Sequence, residues 1–299
     1  MSRLVRPGDE ERGGGAAVER KVVVTGAAGK LGRCVVAQLV TAGIGVVAVD
    51  RRRPADGELD GVPVAVVELH DPEATRRALG GCDGVVHLAG IAGPGRVPDA
   101  ELFANNTQAT FHVLAAAAAG GVRSVVIASS ASAYGMTFAP EPFSPRFVPI
   151  DEDHPMLAKD VYALAKEVDE RTGAMFARSA GMAVVALRFH WIVDAVEARQ
   201  AAARLAEDPG NDARNLWSYA GTQDAARACR LALEAPAGFH PVNICAGDTL
   251  CEAPTEELIR RYHPDTEVRR PIPGTGSPWS TERARCLLGF EPGWSWRCG

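Results

Sequence analysis

The chain has 299 residues, 46% of them hydrophobic, enough to bury a full α/β core as one large domain or as one domain with a smaller lobe. A formal charge of −5 excludes the basic footprint of a nucleic-acid binder, and no apolar run reaches the length of a membrane span, which leaves a small molecule as the expected partner. The seven cysteines are scattered, with no CxxC pair and no histidine at metal-ligand spacing, so they read as thiols of a reducing cytoplasm with no metal site.

Residues 1–20 mix Arg and Glu with a Gly-Gly-Gly run and lack an apolar h-region. They are expected to form a flexible tail rather than a signal peptide. Val22-Val23-Val24 then reads as a strand within 21–25. Thr25-Gly26-Ala27-Ala28-Gly29-Lys30-Leu31-Gly32 joins it to an amphipathic helix over 30–42. In that context Gly26 permits the tight turn, Gly29 lets backbone approach a pyrophosphate, and Gly32 lets the helix pack closely on the sheet, so a dinucleotide is the expected ligand. Such a turn is weak evidence when alone. Strands follow at 45–50 and 62–68, a helix at 72–80, a strand at 84–89, a helix at 100–119, a strand at 123–128, a helix at 160–180 and a strand at 182–189. Several of these strands are continuous apolar runs, as in a parallel sheet covered on both faces. The expected fold is a Rossmann-type, doubly wound α/β domain over 21–190. After 190 the rhythm loosens into a helix at 195–207, a strand near 216–219, a helix at 222–235, a strand at 241–245 and a helix at 254–263. These are expected to form a smaller substrate-binding lobe over 191–299. The Pro-rich loop at 140–155 is long enough to border a site.

Asp50 ends the second strand, 18 residues after Gly32. A carboxylate there accepts hydrogen bonds from the adenosine ribose and repels a 2′-phosphate, which favours NAD, although the Arg51-Arg52-Arg53 run beside it keeps NADP open. Tyr162 and Lys166 are spaced i and i+4 on the helix at 160–180 and project from one face, where an ammonium draws a phenol toward the working range of a general acid or base. The competing reading is a chance pair on a helix surface. Ala128-Ser129-Ser130-Ala131-Ser132-Ala133-Tyr134-Gly135 places hydroxyls at the carboxyl edge of the sheet. A serine there can donate to a substrate oxygen, or simply cap a turn.

With these pieces on the page, the chain resembles the extended short-chain dehydrogenase/reductases, the group of UDP-glucose 4-epimerases, sugar-nucleotide dehydratases and uronate dehydrogenases. The resemblance runs from residue 21 to about 295, over the TGAAGKLG turn, Asp50, Glu68-Leu69, His87-Leu88-Ala89-Gly90, Asn106 with TQATFHVLAAA, SSASAYG, YALAK and Leu187-Arg188. It implies that Gly26, Gly29, Lys30, Leu31, Asp50 and Arg51 hold NAD, that Glu68 and Leu69 meet the adenine, and that Leu88, Ala89 and Gly90 line the phosphates and ribose. Tyr162 becomes the general acid/base, Lys166 also binds the nicotinamide ribose, and Ser130 polarises the substrate oxygen, with Ser132 its neighbour. Asn106 matches a helix asparagine that supports the active site, although Asn105 beside it leaves the register open. A homodimer through helices 100–119 and 160–180 is also implied.

Departures bear on the substrate. The 4,6-dehydratases carry an Asp-Glu pair where this chain has Ala131 and Ser132, which argues against dehydration. The epimerases follow Leu-Arg with an asparagine that holds the nucleotide sugar, whereas this chain continues Phe189-His190-Trp191-Ile192. His190 and Trp191 either line a different substrate pocket or, for the tryptophan, pack the hinge between lobes. Arg188 either pairs with a substrate carboxylate or braces that junction. The expected function is hydride transfer at a secondary alcohol or ketone of a sugar or sugar-like molecule, as dehydrogenase or epimerase. A tailoring enzyme on a non-carbohydrate scaffold and a non-catalytic dinucleotide sensor are the alternatives; a sensor typically loses the Tyr or the Lys, and this chain keeps both.

Overall fold

The structure is a computed structural model that describes residues 20–55, 57–59 and 61–298. The tail expected over 1–20 therefore lies, apart from Arg20, outside the described residues. In chain order the first half gives β1 (Lys21–Thr25), α1 (Lys30–Thr41), β2 (Gly45–Asp50), β3 (Val64–Val66), α2 (Pro72–Ala78), β4 (Gly84–His87), α3 (Asp99–Ala119) and β5 (Ser124–Ser130). A 3-10 turn at Ala131–Tyr134, β6 (Phe147–Val148), α4 (Val161–Ala180), β7 (Ala183–Phe189) and β8 (Trp191–Val193) follow. The rest is α5 (Ala195–Glu207), β9 (Tyr219–Gly221), α6 (Thr222–Ala232), β10 (Gly238–Ile244), α7 (Thr255–Tyr262), β11 (Glu267–Val268) and α8 (Glu282–Leu288).

Seven strands form one parallel sheet in the order β3-β2-β1-β4-β5-β7-β10. The period-two geometry of a strand explains why their sequences are apolar throughout. Val22 and Val24 of β1 enter the core beneath α1, α6 and α8, whereas Val23 between them enters the core beneath α3 and α4. Each such side chain, fully removed from water, contributes about 1.5–3 kcal/mol. The order of strands reverses between β1 and β4, so their carboxyl ends open the crevice in which ligands of such sheets sit.

Two sequence expectations change. The boundary at residue 190 is not the edge of the sheet, because β10 pairs with β7 from Gly238↔Ala183 to Ile244↔Phe189 and α6 packs on α1. Pro241 is tolerated there because β10 is an edge strand, where a missing donor costs no ladder bond. Only β6, β8, β9, β11, α5 and α7 build the smaller lobe, around an aromatic core that includes Tyr134, Trp217, Tyr219 and Trp279. The strand expected near 216–219 begins only at Tyr219, since Leu216 and Trp217 both adopt left-handed backbone, with φ of 54° and 57°. Strand β8 and helix α8 carried too few periodic residues to be read. None of the described helices is long and apolar enough to cross a membrane.

Candidate active site

At the crevice, Gly26 turns the chain out of β1 with φ of +67°. A Cβ at that position would stand 2.7 Å from the Ala89 amide nitrogen, and one at Gly32 would stand 2.2 Å from the Gly26 carbonyl oxygen. Both positions therefore require glycine, for conformation in one case and for space in the other. Helix α1 starts at Gly29 with no side-chain cap, which leaves its first amides facing outward, as a phosphate site requires. Asp50 is fixed beside this turn: the Ala28 amide donates to its Oδ2 at 3.0 Å and the Arg52 amide to its Oδ1 at 3.2 Å. Of the three arginines, Arg52 folds back to donate to the Ala28 carbonyl at 2.9 Å, and Arg51 lines the recess beside Asp50. That recess, about 200 Å³, is also lined by Glu68, Leu69 and Ala89.

The recess shares Gly26, Gly29, Leu88 and Gly90 with a second, larger cavity of about 710 Å³. The two together make a crevice divided by the glycine turn, with Asp50 on one side and Tyr162 and Lys166 on the other. Lys30 and Leu31 line the larger cavity. Lys30 Nζ donates to the Ile192 carbonyl at 3.3 Å and pairs with Glu197, the capping-box residue of α5, so it ties α1 to the smaller lobe.

Asn106 is 1% exposed and does not line either cavity. Its Oδ1 accepts from the Ile91 amide at 2.8 Å and its Nδ2 donates to the Ile91 carbonyl at 3.0 Å. It holds the loop after β4 from inside the core, while Asn105 lines the recess beside Asp50.

Asp160 caps α4 through the Ala163 amide at 2.9 Å, and the helix then carries Tyr162 and Lys166 on its buried face. Tyr162 lies edge-on to Phe138, with centroids 5.9 Å apart. Lys166 Nζ sits 5.8 Å from the Tyr162 ring centroid, donates to the Ala128 carbonyl at 2.7 Å and faces Asp169 Oδ2 at 3.4 Å. Burial opposes its charge, but Asp169 and then Tyr162 outweigh that, and the ammonium is held above its ordinary pKa. Ser130 caps a turn and also faces the cavity. It caps the turn after β5 by accepting from the Ser132 amide at 3.0 Å, and its hydroxyl, donating to Ser132 Oγ at 3.1 Å, lines the cavity with that of Ser132.

The substrate end is partly corrected. Arg188 is 3% exposed and does not reach the cavity. Its guanidinium grips Glu170 through two bonds of 2.8 and 2.7 Å and donates to the Tyr134 hydroxyl at 2.8 Å, so it braces the junction. Trp191 is not a hinge-packing core residue, because it is 46% exposed and lines the cavity. His190 also lines it, 4.2 Å from the Trp279 ring, and burial pushes its imidazole down to about 3, so it is neutral at physiological pH. Arg96, Phe138, Asn215 and Ser218 complete the wall and were not read from sequence. They come from connections between the strands and longer helices, Asn215 from the end of a 3-10 turn at Pro209–Asn215, with no periodic or motif signal. The Pro-rich segment 140–155 does not line the cavity; Thr137 and Phe138 just before it do.

Comparison with known proteins agrees with this geometry. L-arabinose 1-dehydrogenase (NAD(P)(+)) of Haloferax volcanii is 27% identical over 229 residues, covering 75% of this chain and 86% of that protein. A UDP-glucose 4-epimerase of Corynebacterium glutamicum is 26% identical and covers 91% of both chains. A short-chain dehydrogenase/reductase superfamily protein of Agrobacterium tumefaciens, solved with bound NAD, superposes with a TM-score of 0.71 at 28% identity, over 93% of this chain and 94% of the other. The family model for the NAD dependent epimerase/dehydratase family matches residues 22–245, a span from the first strand to the last strand of the sheet, and the chain belongs to that family.

Proposed function

We propose that the chain is an NAD-dependent oxidoreductase or epimerase that transfers hydride at a secondary alcohol or ketone of a sugar or sugar-like substrate, with Tyr162 as general acid–base group. The observation that carries this is the convergence of Ser130 from β5 and of Tyr162 and Lys166 from α4 on the cavity that also holds the glycine turn. Gly26, Gly29 and the first amides of α1 would hold the pyrophosphate, Asp50 the adenosine ribose, and Lys166 the nicotinamide ribose. When bound, NAD supplies the hydride acceptor next to the substrate carbon. Tyr162 takes the hydroxyl proton from that carbon's oxygen, the Lys166 ammonium favours the phenolate that does so, and Ser130 donates to the same oxygen. One pass oxidises the alcohol; a return from the opposite face of the ketone inverts it. The names of the two relatives, an arabinose dehydrogenase and a UDP-glucose epimerase, support a sugar or sugar nucleotide. Phe138 and the exposed Trp191 give the cavity apolar walls as well, which favours keeping non-carbohydrate scaffolds in the test.

The test is to incubate the protein with NAD and a panel of aldoses, uronates, UDP-sugars and hydroxylated polyketide or terpenoid alcohols, following nicotinamide absorbance and product stereochemistry. Turnover of one class with wild type and none with Tyr162→Phe supports the reading; NAD binding with no turnover of any class supports the sensor alternative. Asp50 makes a separate prediction. Asp50→Ala is expected to narrow the ratio of NADP to NAD dissociation constants by about tenfold or more, measured by calorimetry, because the charge that repels a 2′-phosphate is gone. A homodimer through α3 and α4 is part of the same reading. Those helices pack together and still leave Phe111 47% and Leu164 44% exposed. Sedimentation is expected to show two chains per particle, and Phe111→Glu one.

A further inference from the structure

One buried carboxylate at the site has no part in the chemistry just described. Asp169 lies three residues after Lys166 on α4, 2% exposed, with Oδ2 at 3.4 Å from Lys166 Nζ. Its Oδ1 is buried without a hydrogen-bond partner, near Thr110 of α3, whose hydroxyl meets His87 Nε2 at 3.4 Å, while His87 Nδ1 meets Thr25 Oγ1 at 2.7 Å. A chain of polar groups thus runs through the core from the strand that carries the glycine turn to the lysine that faces Tyr162. A charge buried this deeply persists only where it is paired, and the sole cation at hydrogen-bonding distance among the described residues is Lys166.

We propose that Asp169 is the counterion of Lys166 and, by offsetting its field, sets the pH at which Tyr162 gives up its proton. This rests on the reading of Tyr162 as the acid–base group. A lone ammonium beside a phenol favours the phenolate. A carboxylate on the far side of the same ammonium cancels much of that field, so Tyr162 keeps its proton to higher pH than the Tyr-Lys pair alone would dictate. Burial holds the Asp169 carboxyl above its ordinary range, and the Lys166 ammonium 3.4 Å away opposes that rise and favours the ionised form. No other group facing the pair substitutes for it. Glu170 on the same helix is engaged by Arg188 of β7 and by the Ser129 hydroxyl of β5 at 2.6 Å. His87 of β4, fully buried, is pushed down to about 3 and is neutral, as is His190 at the end of β7. Asp160 caps α4 through Oδ1, its Oδ2 is buried without a partner and burial raises its carboxyl, and Arg96 from the loop after β4 is exposed on the cavity wall. The functional consequence is a Tyr162 that at neutral pH stands ready to donate a proton to a carbonyl, with alcohol oxidation favoured at alkaline pH.

The test needs no substrate. Wild type and Asp169→Asn, each saturated with NAD, are titrated by ultraviolet difference absorbance, with Tyr162→Phe in each background as the reference that isolates the Tyr162 signal. The midpoint is expected to fall in Asp169→Asn by about one pH unit, the size of one unscreened charge acting through a partly polar interior, and Asp169→Glu is expected to restore it. A midpoint in Asp169→Asn equal to or above the wild-type value overturns the proposal. Should the asparagine variant fail to fold, Asp169→Ser removes the same charge with less bulk and is read in the same way. A residue that merely filled space would leave the midpoint where it was. Retained turnover in Tyr162→Phe would instead overturn the acid–base reading itself, an outcome separate from the titration.

Discussion

Tyr162→Phe is expected to lower kcat/KM for the preferred substrate by about 10²–10⁴-fold while leaving NAD affinity nearly unchanged. The substitution removes one hydroxyl and keeps the ring. The edge contact with Phe138, at 5.9 Å between centroids, and the packing of Leu102 against the helix survive, so the loss reports chemistry rather than folding. The groups assigned to the adenosine and pyrophosphate half, Gly26, Gly29 and Asp50, belong to β1, α1 and β2 and do not depend on that hydroxyl. The bond from Lys166 to the Ala128 carbonyl does not involve that hydroxyl, so the position from which Lys166 is proposed to bind the nicotinamide ribose should be preserved too. The measurement is initial rate against substrate concentration together with calorimetric NAD titration. A variant whose kcat/KM stays at the wild-type value means that another group moves the proton.

How far the sequence carried depended on whether a residue's role is local. The glycine turn, Asp50 and the Tyr162-Lys166 spacing were legible because strand, turn and helix fix those positions within a few residues of one another. The continuous valine runs were legible for the same reason, since a strand buried on both faces writes its environment into consecutive positions. What was hidden depends on distant parts of the chain meeting. β10 joins the sheet only through its pairing with β7, and its short run with Pro241 resembled a lobe strand. Arg96 reaches the cavity from the loop after β4, and Asn215 and Ser218 reach it from the connection between α5 and β9. Arg188 and Trp191, three residues apart, faced opposite fates, the first drawn into a buried ion pair and the second left on the wall, and nothing in the run LRFHW distinguishes those outcomes. Asp169 is the sharpest case: on a helical wheel it shares the face of Lys166, yet only the packing of α3 on α4 shows that it is buried against the ammonium.

The ion pair that withdrew Arg188 from the substrate list carries the second large expectation. Glu170→Ala is expected to destabilise the fold by about 3–5 kcal/mol, because it strands a guanidinium that is 3% exposed. For a chain of this size that corresponds to a fall in Tm of roughly 5–8 °C. The effect should exceed that of any exposed pair such as Arg76–Glu73, whose charges water screens. Arg188 is also held over the Tyr134 ring, 4.8 Å from its centroid, and the Tyr134 hydroxyl donates in turn to Asn243 Oδ1 at 2.8 Å. The Asn243 amide donates to Glu152 Oε1 at 2.7 Å. One network therefore joins α4, β7, the turn after β5, β10 and the segment leading to the smaller lobe. Loss of Glu170 should accordingly loosen the lobe as well as the sheet, visible as faster amide exchange in 147–157 and 238–245. The double variant Glu170→Leu with Arg188→Met separates charge from packing: with both ions gone and the volume filled, most of the stability should return. If the double variant is as unstable as Glu170→Ala, the cost lies in lost hydrogen bonds to Tyr134 and Ser129 rather than in a stranded charge.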